Sequence, residues 1–304
     1  MAIGSVNLTS SMRNNLVTLQ NTASLMSTAE NHLATGNKVN SAVDNPASFF
    51  AAQGETSRGT QLSGLKDNIG QAIQTVNAAS NGITGEQALI ESLRGVITQA
   101  RSAINDKVNS ATILSGAASG SDQGLTKQYN SLVGQLNNLV HDASFQGVNF
   151  LTSGSTSTAT LTVNFNENAS TSITMSGFNA GASGLGISGG GATKEVTANS
   201  TGNLTSGSIN NATNLNKMEA SLNTALATLQ TQSSALAANL SILTARQSFI
   251  TSMVNTLSVG ATSLVGTDTN TESANLLTLQ TQNQLGVTSL SMSNQANSAV
   301  LKLF

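Results

Sequence analysis

No cysteine occurs in the 304 residues, which excludes disulfides, thiolate chemistry and Cys-ligated zinc. Tryptophan is also missing, proline and tyrosine occur once each, as Pro46 and Tyr129, and aromatics make up only 3% of the chain. Large aromatic side chains supply much of a compact core's buried area. Their scarcity argues against a thick globular core and for long helices joined by thin Ala/Leu seams. Charge is equally sparse, at 9% of residues against roughly 25% in ordinary soluble domains. Lys and Arg number 12 and Asp and Glu 14, a net charge of -2. With no basic stripe to neutralise phosphates, nucleic acid is excluded as an expected partner. So little charge also leaves little repulsion between copies, which tolerates self-association. No apolar run approaches the roughly 18 residues of a membrane span, so none is expected. The opening MAIGSVNLTSSMRNN has neither a basic n-region nor an apolar h-region, and no ordinary secretory signal is expected from it.

Ser, Thr, Asn, Gln and Ala fill the gap, arranged as two helix-rich ends around a Ser/Thr/Gly-rich middle. In the first helix Met12, Leu16, Leu19, Ala23, Met26, Glu30 and Leu33 fall alternately four and three residues apart, the a/d register of a coiled-coil seam. Gly36 and Asn37 mark its stop. DNPAS then reads as a restart, with Asp44 or Asn45 as cap and Pro46 in the first helical position, where its missing N–H costs nothing. The next seam is long: Leu62, Leu65, Ile69, Ala72, Val76, Ala79, Ile83, Glu86, Ile90, Leu93, Ile97, Ala100 and Ile104, weakened at Gly82 and Gly85. A shorter helix carries Leu125, Tyr129, Leu132, Leu136 and Leu139.

In the middle, ATLTVNF and TSITMSGF alternate apolar and polar residues around NENAS, the pattern of a hairpin. Beyond Asn179 the chain reads as loop or thin sheet. Helix returns at Leu215, Met218, Leu222, Ala225, Leu229, Gln232, Leu236, Asn239, Leu243, Arg246, Ile250, Met253 and Leu257. SVGATSLVGTDTN breaks it, and Thr271 with Glu272 or Ala274 opens a last helix carrying Leu285, Met292 and Ala299 at heptad spacing.

The expected fold is therefore mainly α: long antiparallel coiled-coil-like helices from both chain ends, with a small β-rich insert. Three divisions follow, a terminal helical domain from 1–44 with 260–304, a helical bundle from 45–150 with 212–259, and a variable outer domain at 151–211. The terminal helices are thin and Ala-containing, and isolated helices of 12–15 residues are marginal in water. They are expected to be loose in a lone chain and to order against other copies. The apolar ending AVLKLF fits that expectation, since something must bury it.

No chemical site converges. GLGISG, Gly184 to Gly189, matches G-x-G-x-x-G by letter but lacks the preceding strand, the following helix and the acid about 20 residues on that a dinucleotide fold needs. His32 and His141 are far apart without a third ligand, and are expected to be solvated or cap-forming. Carboxylates are scattered singly, with no acid/base pair. No catalytic residue, metal site or cofactor is expected, and an enzyme is the least favoured class.

At three places the residues resemble the bacterial flagellins. NHLATGNKVNSAVDNPAS is similar to the N-terminal signature of that family, FQGVNFL to its Phe-x-Gly-x-x-x-Leu turn, and ANLLTLQTQNQLGVTSLSMSNQANSAVLKLF to its C-terminus. The resemblance covers roughly the first 150 and last 90 residues, with the middle unmatched. It implies a non-enzymatic subunit, secreted through the flagellar export apparatus with an export chaperone and polymerised under a filament cap into an extracellular filament for motility. The hook–filament junction protein shares the terminal pattern and is the alternative, and a glycan-binding surface adhesin is a weaker one. Where many flagellins carry an Arg and, three residues later, a Glu resembling an innate-receptor contact, this chain has Gly95 and Thr98, which argues against that recognition. The residues expected at the interface between copies are Met12, Leu16, Leu19, Met26, Leu33, Leu285, Met292, Val300, Leu301, Leu303 and Phe304. Leu303→Asp is expected to leave the inner helices folded but to prevent assembly, because a charge would be buried unpaired.

Overall fold

A computed structural model describes residues 10–109, 120–152, 159–187 and 212–301. Among the described residues five helices dominate: α1 (Ser10–Thr35), α2 (Pro46–Asn109), α3 (Gly120–Asp142), α4 (Ala212–Val265) and α5 (Thr269–Leu301), with one hairpin of β1 (Thr160–Asn164) and β2 (Ser172–Ser176). The expected mainly α architecture is what is found. The chain divides into two compact units, residues 1–60 with 253–304, and residues 61–252.

The larger unit is built on the long seam of α2. Leu62, Ile69, Ala72, Val76, Ala79, Ile83, Ile90, Leu93, Ile97 and Ala100 are all buried, as the heptad spacing predicts. On α4, Leu215, Met218, Leu222, Ala225, Leu229, Leu236 and Leu243 are buried in turn. The two helices run antiparallel, since Arg101 of α2 donates to Glu219 of α4 at 2.6 Å while Gly70 lies beside Gln247. Helix α3 buries Tyr129, Val133, Leu136 and Val140. Gly82 and Gly85 are not weak points here but close approaches. A Cβ on Gly82 would stand 2.5 Å from Leu151 Cδ1, and one on Gly85 would stand 2.7 Å from Leu139 Cδ2.

After α3, Asn149 closes the helix by donating to the Val140 and His141 carbonyls at 2.7 and 3.1 Å. The FQGV turn pairs Phe145 with Val148 through two 2.9 Å backbone bonds. Gln146 and Gly147 both have positive φ, 49° and 81°, the combination that a type I′ turn demands. In the hairpin Leu161 faces Met175 and Val163 faces Ile173, so the apolar residues of both strands share one face. Phe165 continues it beneath the Arg246 guanidinium, 5.0 Å from its ring centre.

The glycine-rich stretch is a packed turn. Gly186 is left-handed at φ 68°, Leu185 and Ile187 are buried, and the Asn137 amide oxygen accepts the Ala182 N–H at 3.0 Å. The residues after Ile187, including the end of the G-x-G-x-x-G match, lie outside the described residues.

In the smaller unit α1 and α5 pack along their length, with the start of α2 and the end of α4 beside a knot of loops. Gly36, left-handed at φ 70°, ends α1 as expected. The Val265 carbonyl at the end of α4 accepts both Lys38 and Val39 N–H groups at 2.8 and 3.2 Å, and the Gly36 carbonyl accepts Thr267 N–H at 3.0 Å. Asn45 caps α2 by accepting Ser48 N–H at 3.1 Å, with Pro46 first in the helix. Asp44 instead holds the preceding loop by accepting the Asn40 and Ser41 N–H groups, both at 2.9 Å. Two expectations need correction. Helix α4 runs through SVGATSLV unbroken to Val265, and α5 is capped by Asp268, which accepts Asn270 N–H at 3.0 Å, rather than by Thr271. Alanine, serine and threonine tolerate helix interior, Gly266 follows the last helical residue, and Asp268 supplies the carboxylate that caps the restart.

Candidate assembly surface

Three contacts set the register of the terminal pair. Asn15 Nδ2 donates to Ser289 Oγ at 3.4 Å, Leu19 lies over Gly286, and His32 Nδ1 meets Glu272 Oε1 at 2.9 Å. The helices are therefore antiparallel, and the same register puts Thr22 level with Asn283, Met26 with Leu279 and Ala29 with Leu276. Residues turned inward on α1 are Met12, Asn15, Leu19, Thr22, Met26, Ala29 and Leu33; on α5 they are Glu272, Leu276, Leu279, Asn283, Gly286, Leu290 and Ser293. Both rows step by three and four, so the pair is a two-stranded seam.

That seam mixes apolar and polar groups. Thr22 is buried and returns its hydroxyl to the Thr18 carbonyl at 2.9 Å. His32, expected to be solvated or a cap, is half-buried in its contact with Glu272. Gly286 admits Leu19, since a Cβ there would stand 2.7 Å from Leu19 Cδ2.

The heptad reading of α1 meets the structure at Met12, Leu19, Met26 and Leu33 and departs by one residue between them. Leu16 is 40% exposed, with Val17 and Leu25 also outward. On α5 the heptad of Leu285 and Met292 is not the inward row at all: both are 65% exposed, as is Leu277 at 64%. At about 100° per residue these three fall on the side of α5 away from α1. Helix α5 thus has two apolar faces, one against α1 and one open, while the exposed apolar residues of α1 are spread around its outer side. Val300 and Leu301 lie in the last turn of α5, and Leu303 and Phe304 lie outside the described residues.

Further apolar surface is open in this unit at Val43, Phe50 and Val259. A cavity of about 460 Å³ lined by Val39, Phe49, Ala52, Thr56 and Val265 holds no ionisable group. Helix α4 contains an 18-residue stretch of mean hydropathy 1.2, of which 11% is buried, so one helix reaches the length and composition that could cross a membrane. Serine, threonine and asparagine interrupt that stretch. Among the described residues no three His, Asp or Glu side chains gather as metal ligands. Near Gly95 and Thr98 the charged groups are already paired, Arg94 with Glu91 at 3.0 Å and Arg101 with Glu219 at 2.6 Å.

Comparison with known proteins bears on this surface. Residues 6–156 match the bacterial flagellin N-terminal helical region and residues 207–304 the bacterial flagellin C-terminal helical region. The chain is 27% identical to flagellin FljK of Caulobacter vibrioides over 304 residues, covering 100% of both chains, and 28% identical to FljO of the same organism over 305. It is 27% identical to a flagellin of Brucella melitensis across 95% of each chain. A crystal structure of Bacillus cereus flagellin matches with a TM-score of 0.43 and 14% identity, over 60% of this chain and 88% of that one. The two matched regions together take in most of the 304 residues, and the chain belongs to the bacterial flagellin family.

Proposed function

We propose that the chain is the repeating subunit of a bacterial flagellar filament, and that the open faces of α1 and α5 are where copies meet. Leu277, Leu285 and Met292, exposed on the side of α5 away from α1, carry this reading. Exposed apolar side chains in a row mark interaction surface. A contact between two different faces of one chain, if its rotation does not close a ring, propagates as a helical filament. Leu16 and Leu25, on opposite flanks of α1, would meet different neighbouring copies, and Val300 and Leu301 in the last turn of α5, with Leu303 and Phe304 after it in sequence, would join the α5 contact. Met12, Leu19, Met26 and Leu33 would act indirectly, by holding α1 on α5.

The remaining roles rest on the family. The terminal residues 1–44 and 260–304 form the inner part of the filament, residues 45–150 and 212–259 the surrounding bundle, and residues 151–211 its outer surface. The chain catalyses nothing, leaves the cell through the flagellar export apparatus with a chaperone, and is added beneath a cap to an extracellular filament. On the family's account, the apolar stretch of α4 meets other subunits rather than lipid.

The test is a double variant, Leu285→Asp with Met292→Asp, added to sonicated filament seeds. Both side chains are exposed in the single chain, so circular dichroism and melting temperature should match the parent. Sedimentable polymer should fall at least tenfold, because each interface would bury two unpaired carboxylates. Polymer of normal yield from that variant would refute the assignment of this face.

A further inference from the structure

The long seam of α2 is apolar at nearly every buried position, and Glu86 is the exception. It is 0% exposed, and neither carboxyl oxygen has a hydrogen-bond partner or reaches solvent. Its seam neighbours are Ile83 and Ile90, one turn away on either side, both buried. A buried, unpaired carboxylate is among the costliest groups a fold can hold, and the protein form that avoids the cost is the neutral acid.

Among the described residues no countercharge is placed to relieve it. On α2 the nearest charged residues are Asp67 and Glu91, and Glu91 already faces Arg94. On α3, which meets this level of α2 through Leu139 over Gly85, no charged residue occurs between Lys127 and His141. On α4 none occurs between Glu219, which is held by Arg101, and Arg246, which lies over Phe165. The register of α2 on α4 puts the Glu86 level near Gln232, uncharged as well. The segment 143–152 carries no charge, and 159–187 only Glu167.

We propose that Glu86 is a titratable weak point of the 61–252 unit, silent while the carboxyl is neutral and loosening the helical bundle when it ionises. Burial pushes its pKa up from 4.5 to about 8. Because the folded value lies above the unfolded one, the neutral acid's contribution is fully present below about pH 4.5. It is lost progressively as the pH rises and is gone above about pH 8. The open chain, in which the carboxyl is hydrated, gains at the bundle's expense across that window.

The test compares unpolymerised full-length protein with Glu86→Gln and Glu86→Leu, by thermal melting and by hydrogen exchange of amides in 61–252 from pH 5 to pH 9. The parent's ratio of folded to open unit should fall by roughly a hundredfold between pH 5 and pH 8 relative to each variant. The difference between the parent and each variant should widen from pH 5 to pH 8 and level off above it. Glu86→Leu covers the case in which the glutamine amide, itself unpaired, prevents folding. Carboxyl-labelled glutamate NMR reads the residue directly, and the signal lost in Glu86→Gln should titrate well above the usual carboxylate range. Parallel parent and variant curves from pH 5 upward, or a titration near pH 4.5, would overturn the proposal.

Discussion

Gly177 shows how one missing methyl group organises the turn that covers α3. A Cβ there would stand 2.5 Å from the Phe150 carbonyl oxygen and 2.9 Å from Phe150 Cα, and backbone cannot swing aside as a side-chain tip can. This approach allows Phe178 N–H to donate to Phe150 at 2.8 Å and Ala180 N–H to Leu151 at 2.9 Å. Gly177→Ala should cost about 2 kcal/mol, read as a lower melting temperature with unchanged helicity at room temperature. A melting curve equal to the parent's would mean that the two segments separate freely. Little of this was legible in the sequence. Asn137, Asn149 and Asn179 tie the backbone here through their amides, yet asparagine is so common in the chain that its presence marks no particular place. Glu86 was legible as a heptad position but not as an unpaired one, because partners are a property of three helices at once.

At the scale of the helix, the readable elements are those with one apolar face. Along α2 and the first half of α4 the heptad row is the buried one, so periodicity places Ile69, Ile83, Leu222 and Leu229 inside, although α4 also exposes Ile242, Phe249 and Val259. Helix α5 is apolar on two sides, and α1 carries apolar residues around its outer surface, so a period cannot say which side meets which partner. The alternation that selects Leu16 and Leu285 follows the open face, while polar Asn15, Thr22 and Asn283 occupy the closed one. Two predictions belong here. Gly286→Val drives a branched side chain into Leu19 and should weaken the α1–α5 pair by about 2 kcal/mol. Faster amide exchange throughout both helices, with the 61–252 unit unaffected, is the expected signature; equal exchange in both units would contradict it. The Asp268 pKa is held below its usual value by the Thr271 hydroxyl and N–H and by Asn270 N–H, which stabilise the carboxylate. Its depressed folded pKa means that its cap is present above the ordinary value of 3.8 and fails as the pH drops further. Asp268→Ala should therefore raise exchange in the first turn of α5 at pH 7, by a margin that shrinks as the pH falls below 3.8.

For the whole molecule the sparse charge decides how assembly should respond to solvent. The open faces carry leucine, methionine and valine, and a net charge of -2 on 304 residues offers little long-range repulsion to screen. The critical concentration for polymerisation should hence move less than threefold between 0.05 and 0.5 M sodium chloride. Ammonium sulfate, which strengthens apolar burial, should lower it severalfold. Seeded polymerisation followed by light scattering distinguishes these responses. A steep rise or fall with sodium chloride would place charged contacts, not the α5 face, in control.

The pairing of Asn15 with Ser289 and of His32 with Glu272 joins positions 274 and 240 residues apart. A ribosome therefore delivers α1 more than 200 residues before the helix that covers it. Throughout the interval the N-terminal segment has no cognate surface within its own polypeptide, and closing so large a loop is entropically costly even when both ends exist. A nascent or freshly released chain must be most vulnerable to proteases and to mispairing at its extremities, and whatever shields α1 during that wait has to let go once α5 arrives.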